Sequence, residues 1–179
     1  IVMEVATGDV KAMVNMSRAE DGNYYELKNN ALTDILEPGS TFKTASLLVA
    51  LNDKKISIND SVDAHKGLYK FGTTPMTDHN AGKPNAYGML SVPQVLMYSS
   101  NVGTARLINE NYKDNPEKFV EGLHRMGLAT HFPLLPGTGR PVIRKPNANK
   151  SNWSVTALPW MSIGYETQIA PINIVSFYN

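Results

Sequence analysis

Apolar and polar residues fall in distinct blocks along the chain, and each block predicts an element. Val2 to Val5 and Val10 to Val14 flank Ala6-Thr7-Gly8-Asp9, a pattern that predicts two strands joined by a tight turn. Residues 17 to 30 are polar and rich in Asn, Asp and Glu, which predicts a loop. From Thr41 to Leu51, the residues Phe42, Ala45, Leu47, Leu48, Val49, Ala50 and Leu51 crowd densely enough to predict a largely buried helix. Pro38-Gly39 breaks the chain just before it. Residues 54 to 63 form a polar connection, Gly67 to Gly72 a short strand, and Thr73 to Tyr87 a turn-rich excursion. Ser91 is placed to cap a helix that has Pro93 in its first turn and runs to Tyr98. A further apolar helical stretch covers Val102 to Ile108. Phe119, Val120, Leu123 and Met126 recur at helical spacing in Pro116 to Met126, with Gly127 as the stop. The Pro/Gly/Asn-rich stretch from Pro133 to Asn152 holds Arg140, Arg144, Lys145 and Lys150 and predicts a solvated loop.

Composition narrows the function classes. A chain of 179 residues with 42% hydrophobic content can bury one ordinary core. A formal charge of +1 gives no footprint for nucleic acid or an anionic membrane. Without cysteine there are no disulfides or thiolate metal sites. His65, His79, His124 and His131 are scattered without zinc-site spacing, so neither a metal nor a cofactor is expected. Gly137-Thr138-Gly139 lacks the further glycine of a nucleotide loop and reads as a turn. No apolar run is long enough to span a bilayer, and no signal peptide is visible.

The chemistry concentrates at Glu37-Pro38-Gly39-Ser40-Thr41-Phe42-Lys43. Ser40 falls at the N-cap or first turn of the buried helix, and residues three apart share a helix face, so Lys43 lies within reach of the Ser40 hydroxyl. The positive end of the helix dipole favours both an alkoxide and a neutral amine. A desolvated lysine there is able to take a proton near neutral pH. Spacing alone is weak, because a chain of this length contains about one Ser-x-x-Lys by chance.

The surrounding residues add specificity. The heptapeptide, with Asn30-Ala31 and Thr33-Asp34 before it, resembles the nucleophile segment of the penicillin-binding proteins, the D,D-transpeptidases that cross-link peptidoglycan. Tyr98-Ser99-Ser100-Asn101-Val102-Gly103 resembles that family's Ser-x-Asn motif. Ser57-Ile58-Asn59 also fits Ser-x-Asn but sits in a polar turn, whereas Ser99 lies between two apolar helical stretches. Leu158-Pro159-Trp160-Met161-Ser162-Ile163-Gly164-Tyr165, then Gln168-Ile169-Ala170-Pro171-Ile172, is similar to the family's Ile-Gly-Tyr-Gly segment and the helix after it. Glu166 stands where glycine is usual and Ala170 where threonine is usual, and glutamate resists the backbone angles that glycine accepts. The family's Lys-Ser/Thr-Gly motif is absent, since Lys43-Thr44-Ala45 lies in the nucleophile helix and Lys150-Ser151-Asn152 lacks the glycine.

The resemblance implies an α/β (α+β) serine β-lactamase/transpeptidase-like fold in partial form. Residues 1–16 would supply a hairpin of the sheet, 31–53 the nucleophile helix region, and 54–179 most of the helical subdomain with its loops, the C-terminal strands being missing. It assigns catalysis to Ser40, Lys43, Ser99 and Asn101, and substrate contact to Ser100 and Tyr98. Ser40 would attack the penultimate D-alanine of a stem peptide, Lys43 or Ser99 would manage its proton, and Asn101 would hold Lys43 and the substrate amide. Peptidoglycan stem peptides, β-lactams and other cell-wall synthesis or division proteins are the implied partners, on the extracytoplasmic face of the membrane, with an anchor upstream. No Glu-x-x-Leu-Asn of a class A β-lactamase occurs, and the motif wording favours class B enzymes of the septal type. A β-lactam sensor or a non-catalytic scaffold of the same fold is the alternative. Unpaired strand edges in a partial sheet imply self-association.

Overall fold

The computed structural model describes residues 1–134, 136–147 and 151–179. Lys150, of the basic loop and of the Lys150-Ser151-Asn152 near-match, lies outside them. The chain opens with β1 (Val2–Met3) and β2 (Val10–Ala12), paired antiparallel as predicted, then β3 (Ser17–Arg18) and β4 (Tyr24–Tyr25). After α1 (Asn30–Thr33), a 3-10 turn over Gly39–Phe42 leads into α2 (Lys43–Asn52). Next come β5 (Ser61–Asp63), β6 (Leu68–Phe71), β7 (Thr74–Thr77) and β8 (Met89–Ser91). Three helices follow: α3 (Val92–Met97), α4 (Asn101–Tyr112) and α5 (Pro116–Arg125). The last elements are β9 (Val142–Ile143), α6 (Ala157–Ser162), β10 (Thr167–Gln168) and α7 (Pro171–Tyr178). Each described strand belongs to a two-stranded antiparallel ladder.

The main core lies where α2 meets α4 and α5, and α6 closes it against α4. Phe42, Ala45, Val49, Val95, Val102, Ile108, Phe119, Leu123 and Met161 are buried there. Gly122 of α5 lets α2 approach closely, because a Cβ at that position would stand 2.4 Å from the Val49 side chain. The dense apolar run after Pro38 is therefore a central helix. Ser91 caps α3 as predicted, and the box is reciprocal: Gln94 N–H donates to Ser91 Oγ while Ser91 N–H donates to Gln94 Oε1. Gly127 ends α5 at φ +77°. No helix among the described residues is long and apolar enough to cross a membrane.

Four segments expected to be irregular contain strands. Within 17–30, β3 and β4 pair around a turn at Asp21-Gly22, where the Asp21 carboxylate accepts from the Asn23 N–H. Both strands of that hairpin are largely exposed, so no apolar alternation marks them. The Thr73–Tyr87 excursion contains β7, paired with β6, and buries Met76 beside exposed Thr74, Pro75 and Thr77. The connection 54–63 ends in β5, paired with β8, and the Pro-rich loop contains β9, paired with β10.

Candidate active site

Ser40 sits in the 3-10 turn that delivers the chain to α2. It is not an N-cap, because no side chain caps that turn and its hydroxyl makes no hydrogen bond among the described residues. The side chain is exposed. Pro38 adopts a right-handed conformation and Gly39 a left-handed one (φ +56°), so the pair turns the backbone sharply before the helix. The turn is braced from behind by the C-terminal end of α6. Gly39 N–H donates to the Gly164 carbonyl (3.1 Å), and Ser46 Oγ donates to the Ser162 carbonyl (2.8 Å). The contact at Gly164 is so close that a Cβ there would lie 2.1 Å from the Gly39 oxygen.

Lys43 lies one helical turn further on and is only 1% exposed. Its Nζ donates to three acceptors: the Ser99 carbonyl (2.6 Å), Ser99 Oγ (3.0 Å) and Asn101 Oδ1 (2.6 Å). Lys43 and the Ser40 hydroxyl share no hydrogen bond here; the ammonium donates to the α3–α4 turn instead. Burial pushes the Lys43 amine down from 10.5 to about 8, against an upward pull from the Asp78 carboxylate.

The turn that embraces Lys43 is made by the end of α3 and the start of α4. Ser100 N–H donates to the Val95 carbonyl and Ser99 N–H to that of Leu96, the paired bonds of a Schellman motif. Ser99 occupies the left-handed position of that motif (φ +52°), a place that glycine usually takes. This backbone turns both its carbonyl and its hydroxyl toward the lysine. Asn101 is held by its other end, Nδ2 donating to the Thr77 carbonyl at the end of β7 (2.9 Å).

Ser100, predicted to contact substrate, is fully buried. Its hydroxyl donates to Asp78 and accepts from the Gly103 N–H, which makes it the N-cap of α4 and removes it from any open face. Tyr98 is 36% exposed and stacks on Tyr87, with ring centroids 5.1 Å apart. The residue that motif reading missed is Asp78. It lies just past β7, inside a segment whose composition says only turn, and no spacing rule connects it to Ser99.

The Tyr165-Glu166 bend keeps the glycine-like conformation despite the glutamate, with Glu166 at φ +58°. Glu166 N–H donates to Glu37 Oε1, and its carboxylate pairs with Arg144 at 2.7 Å. These contacts hold a backbone angle that glutamate disfavours.

Chemically, the cluster provides an exposed hydroxyl and a buried amine close to neutrality. Ser99 O and Asn101 Oδ1 only accept, so a neutral Lys43 would spend its two N–H groups on them. Its lone pair is then left for a hydroxyl, and Ser99 Oγ stands in reach.

The sequence profile of the penicillin binding protein transpeptidase domain matches residues 1–179. The chain is 26% identical over 184 residues to "Probable peptidoglycan D,D-transpeptidase PenA" of Neisseria gonorrhoeae, covering 99% of this chain and 29% of that protein. It is 29% identical over 190 residues to "Peptidoglycan D,D-transpeptidase FtsI" of Buchnera aphidicola subsp. Baizongia pistaciae, with 99% of this chain and 30% of that one covered. The chain thus spans about three tenths of the length of these curated relatives. Among solved structures, the apo TP domain of Burkholderia pseudomallei penicillin-binding protein 3 is similar, with a TM-score of 0.72, 26% identity, and coverage of 84% of this chain and 42% of that one.

Proposed function

Since this chain belongs to the penicillin-binding protein transpeptidase family, we propose that it carries the Ser-x-x-Lys and Ser-x-Asn elements of a peptidoglycan D,D-transpeptidase site, with Ser40 as nucleophile. The observation that carries this reading is the buried Lys43 amine, one turn from exposed Ser40 and gripped by Ser99 and Asn101. Ser40 Oγ adds to the carbonyl carbon of the penultimate D-alanine of a stem peptide, and its proton passes to neutral Lys43. Collapse of the tetrahedral adduct breaks the C–N bond, and the departing D-alanine nitrogen takes a proton relayed from Lys43 through Ser99 Oγ. The product is an ester on Ser40, which an acceptor amine of a second stem peptide resolves into the cross-link. A β-lactam carbonyl follows the first half of this path and leaves Ser40 acylated. Asn101 holds the amine and contacts the substrate amide, and exposed Tyr98 borders the peptide. Names of relatives as D,D-transpeptidases support this assignment, and the FtsI name supports division at the septum, on the extracytoplasmic face among other cell-wall proteins.

Intact mass spectrometry after incubation with benzylpenicillin tests the nucleophile. The expected result is one adduct of the mass of the intact antibiotic, lost in Ser40→Ala. No adduct on the wild-type chain, or an adduct that survives in Ser40→Ala, would overturn it. Cross-linking of a stem peptide ending in D-Ala-D-Ala separates a transpeptidase from a β-lactam sensor, which acylates without forming the cross-link.

A further inference from the structure

Asp78 is a buried carboxylate, 5% exposed, with no lysine or arginine of the described residues at salt-bridge distance. A buried carboxylate is costly unless it is paired or fully hydrogen-bonded. Its own N–H donates to the Gly67 carbonyl (2.9 Å), which anchors it to the β6–β7 hairpin. Oδ1 accepts from the Val102 N–H (3.0 Å) and Oδ2 from Ser100 Oγ (2.8 Å). Both oxygens therefore face the N-terminal turn of α4, a helix of 12 residues. Ser100 already caps that helix by accepting from the Gly103 N–H. A neutral Asn at position 78 presents an acceptor at the same reach for the Val102 N–H, so capping alone does not explain a buried charge.

The charge has a counterpart across the turn. Of the elements packed against α2, α4 and the turn before it offer Lys43 the neutral Ser99 and Asn101, and α5 meets α2 through Gly122 against Val49. At the α6 end, the neutral Ser162 carbonyl takes the Ser46 hydroxyl. The cluster of Asp53, Lys118 and Arg125 sits at the far end of α2. The carboxylate whose field reaches Lys43 is that of Asp78.

We propose that Asp78 is a positioning residue for the acylation chemistry: from behind the Ser99-Ser100-Asn101 turn its carboxylate fixes the start of α4, so that Ser99 and Asn101 close on Lys43, and its negative charge supports the lysine ammonium through that turn. The inference rests on the transpeptidase reading of the site. The hairpin serves the same end twice, since the Thr77 carbonyl holds Asn101 from the residue next door. Removing the charge makes Lys43 a weaker base that loses its proton at lower pH. Removing only the cap loosens the turn and leaves the basicity of the amine in place.

The test is direct NMR titration of the Lys43 side chain in selectively labelled protein, paired with the rate of penicillin acylation against pH. In wild type the midpoint is expected near 8. Asp78→Asn, which keeps an acceptor for Val102, is expected to lower that midpoint by about one pH unit. Asp78→Glu, which keeps the charge, is expected to restore it. Ser100→Ala removes a capping hydroxyl and is expected to lower Tm with the midpoint unmoved. A midpoint in Asp78→Asn equal to that of wild type overturns the proposal. If Asp78→Asn does not fold, Asp78→Gln replaces it as the neutral counterpart of Asp78→Glu, and the same shift is required. The titration needs no antibiotic, so failure of this inference is distinct from failure of Ser40 to acylate.

Discussion

Lys43 and Ser99 are each held in a state that folding alone disfavours, and both departures bear on the chemistry. Burial holds the Lys43 amine at about 8, so the unfolded chain binds more protons than the folded one between pH 8 and 10.5. The stability cost is thus complete below pH 8, about 3 kcal/mol, and is relieved as pH rises through that window. The same shift makes the neutral amine accessible near pH 8. Penicillin acylation is expected to rise about tenfold per pH unit below 8 and to level off above it, with the inflection set by Lys43. Stopped-flow rates across pH 6 to 10 check this at about two-tenths-unit precision, and a flat profile would remove Lys43 as the base. Ser99 adopts φ +52° where glycine would be comfortable. Ser99→Gly is expected to stabilise the fold by about 1 kcal/mol while slowing acylation about a hundredfold or more, because the hydroxyl on Lys43 is lost. Thermal melts and adduct kinetics on the same sample separate the two effects. Equal melts with full acylation would show that the left-handed turn carries no functional load.

Element ends, more than element interiors, assemble the site. The C-terminal turns of α3 and α6 are both Schellman motifs: one places Ser99 over Lys43, and the other seats Gly164 against Gly39 behind Ser40. Gly164→Ala would put a methyl 2.1 Å from the Gly39 oxygen, backbone that cannot yield cheaply. A loss of about 3 kcal/mol or more and a displaced Ser40 turn are expected, read as a lower denaturant midpoint and slower acylation. Gly137→Ala is the control: it has a similar φ of +80° with nothing within 4 Å of a built Cβ, so about 1 kcal/mol is expected. Comparable losses in both variants would refute the clash. The sequence reveals those parts of this arrangement whose signal is local. Ser91 and Pro93 mark the start of α3, Gly127 marks the end of α5, and the apolar run after Pro38 marks α2. Ser40, Lys43, Ser99 and Asn101 are readable as motif positions. The exposed pair β3–β4 and the strand β7 escape notice because a strand without a consistently buried face carries little alternation, whereas β6 is legible between Gly67 and Gly72. Asp78 escapes for a related reason: its role comes from a hairpin folding across α4, a contact with no fixed spacing in the chain.

At the scale of the molecule, packing is uneven, and the Lys43–Ser99–Asn101 cluster lies on its well-packed side. Val49, Val95, Val102, Ile108 and Phe119 are completely buried around α2, α4 and α5, and Lys43 rises from that core. The β1–β2 hairpin region is thinner: Val2 in the ladder and Val5 and Val14 beside it are 59%, 76% and 74% exposed, and the register slips between Val2 and Met3. A two-stranded ladder with apolar residues in water has little to hold it closed, and its free edges are templates for another strand. Hydrogen exchange is therefore expected to grade across the chain, slowest in α2, α4 and α5 and fast in residues 2–14. Light scattering of the chain in solution is expected to give a mass that grows with concentration, as the edges and the exposed valines find each other. Charged substitution at two of those positions, Val5→Lys with Val14→Lys, should suppress that growth and leave the Ser40 adduct unchanged, since neither residue touches the Lys43 cluster. A concentration-independent monomer with a slowly exchanging hairpin would mean that the ladder is held by contacts stronger than its burial suggests. Loss of the adduct in the double variant would mean that the hairpin supports the site after all.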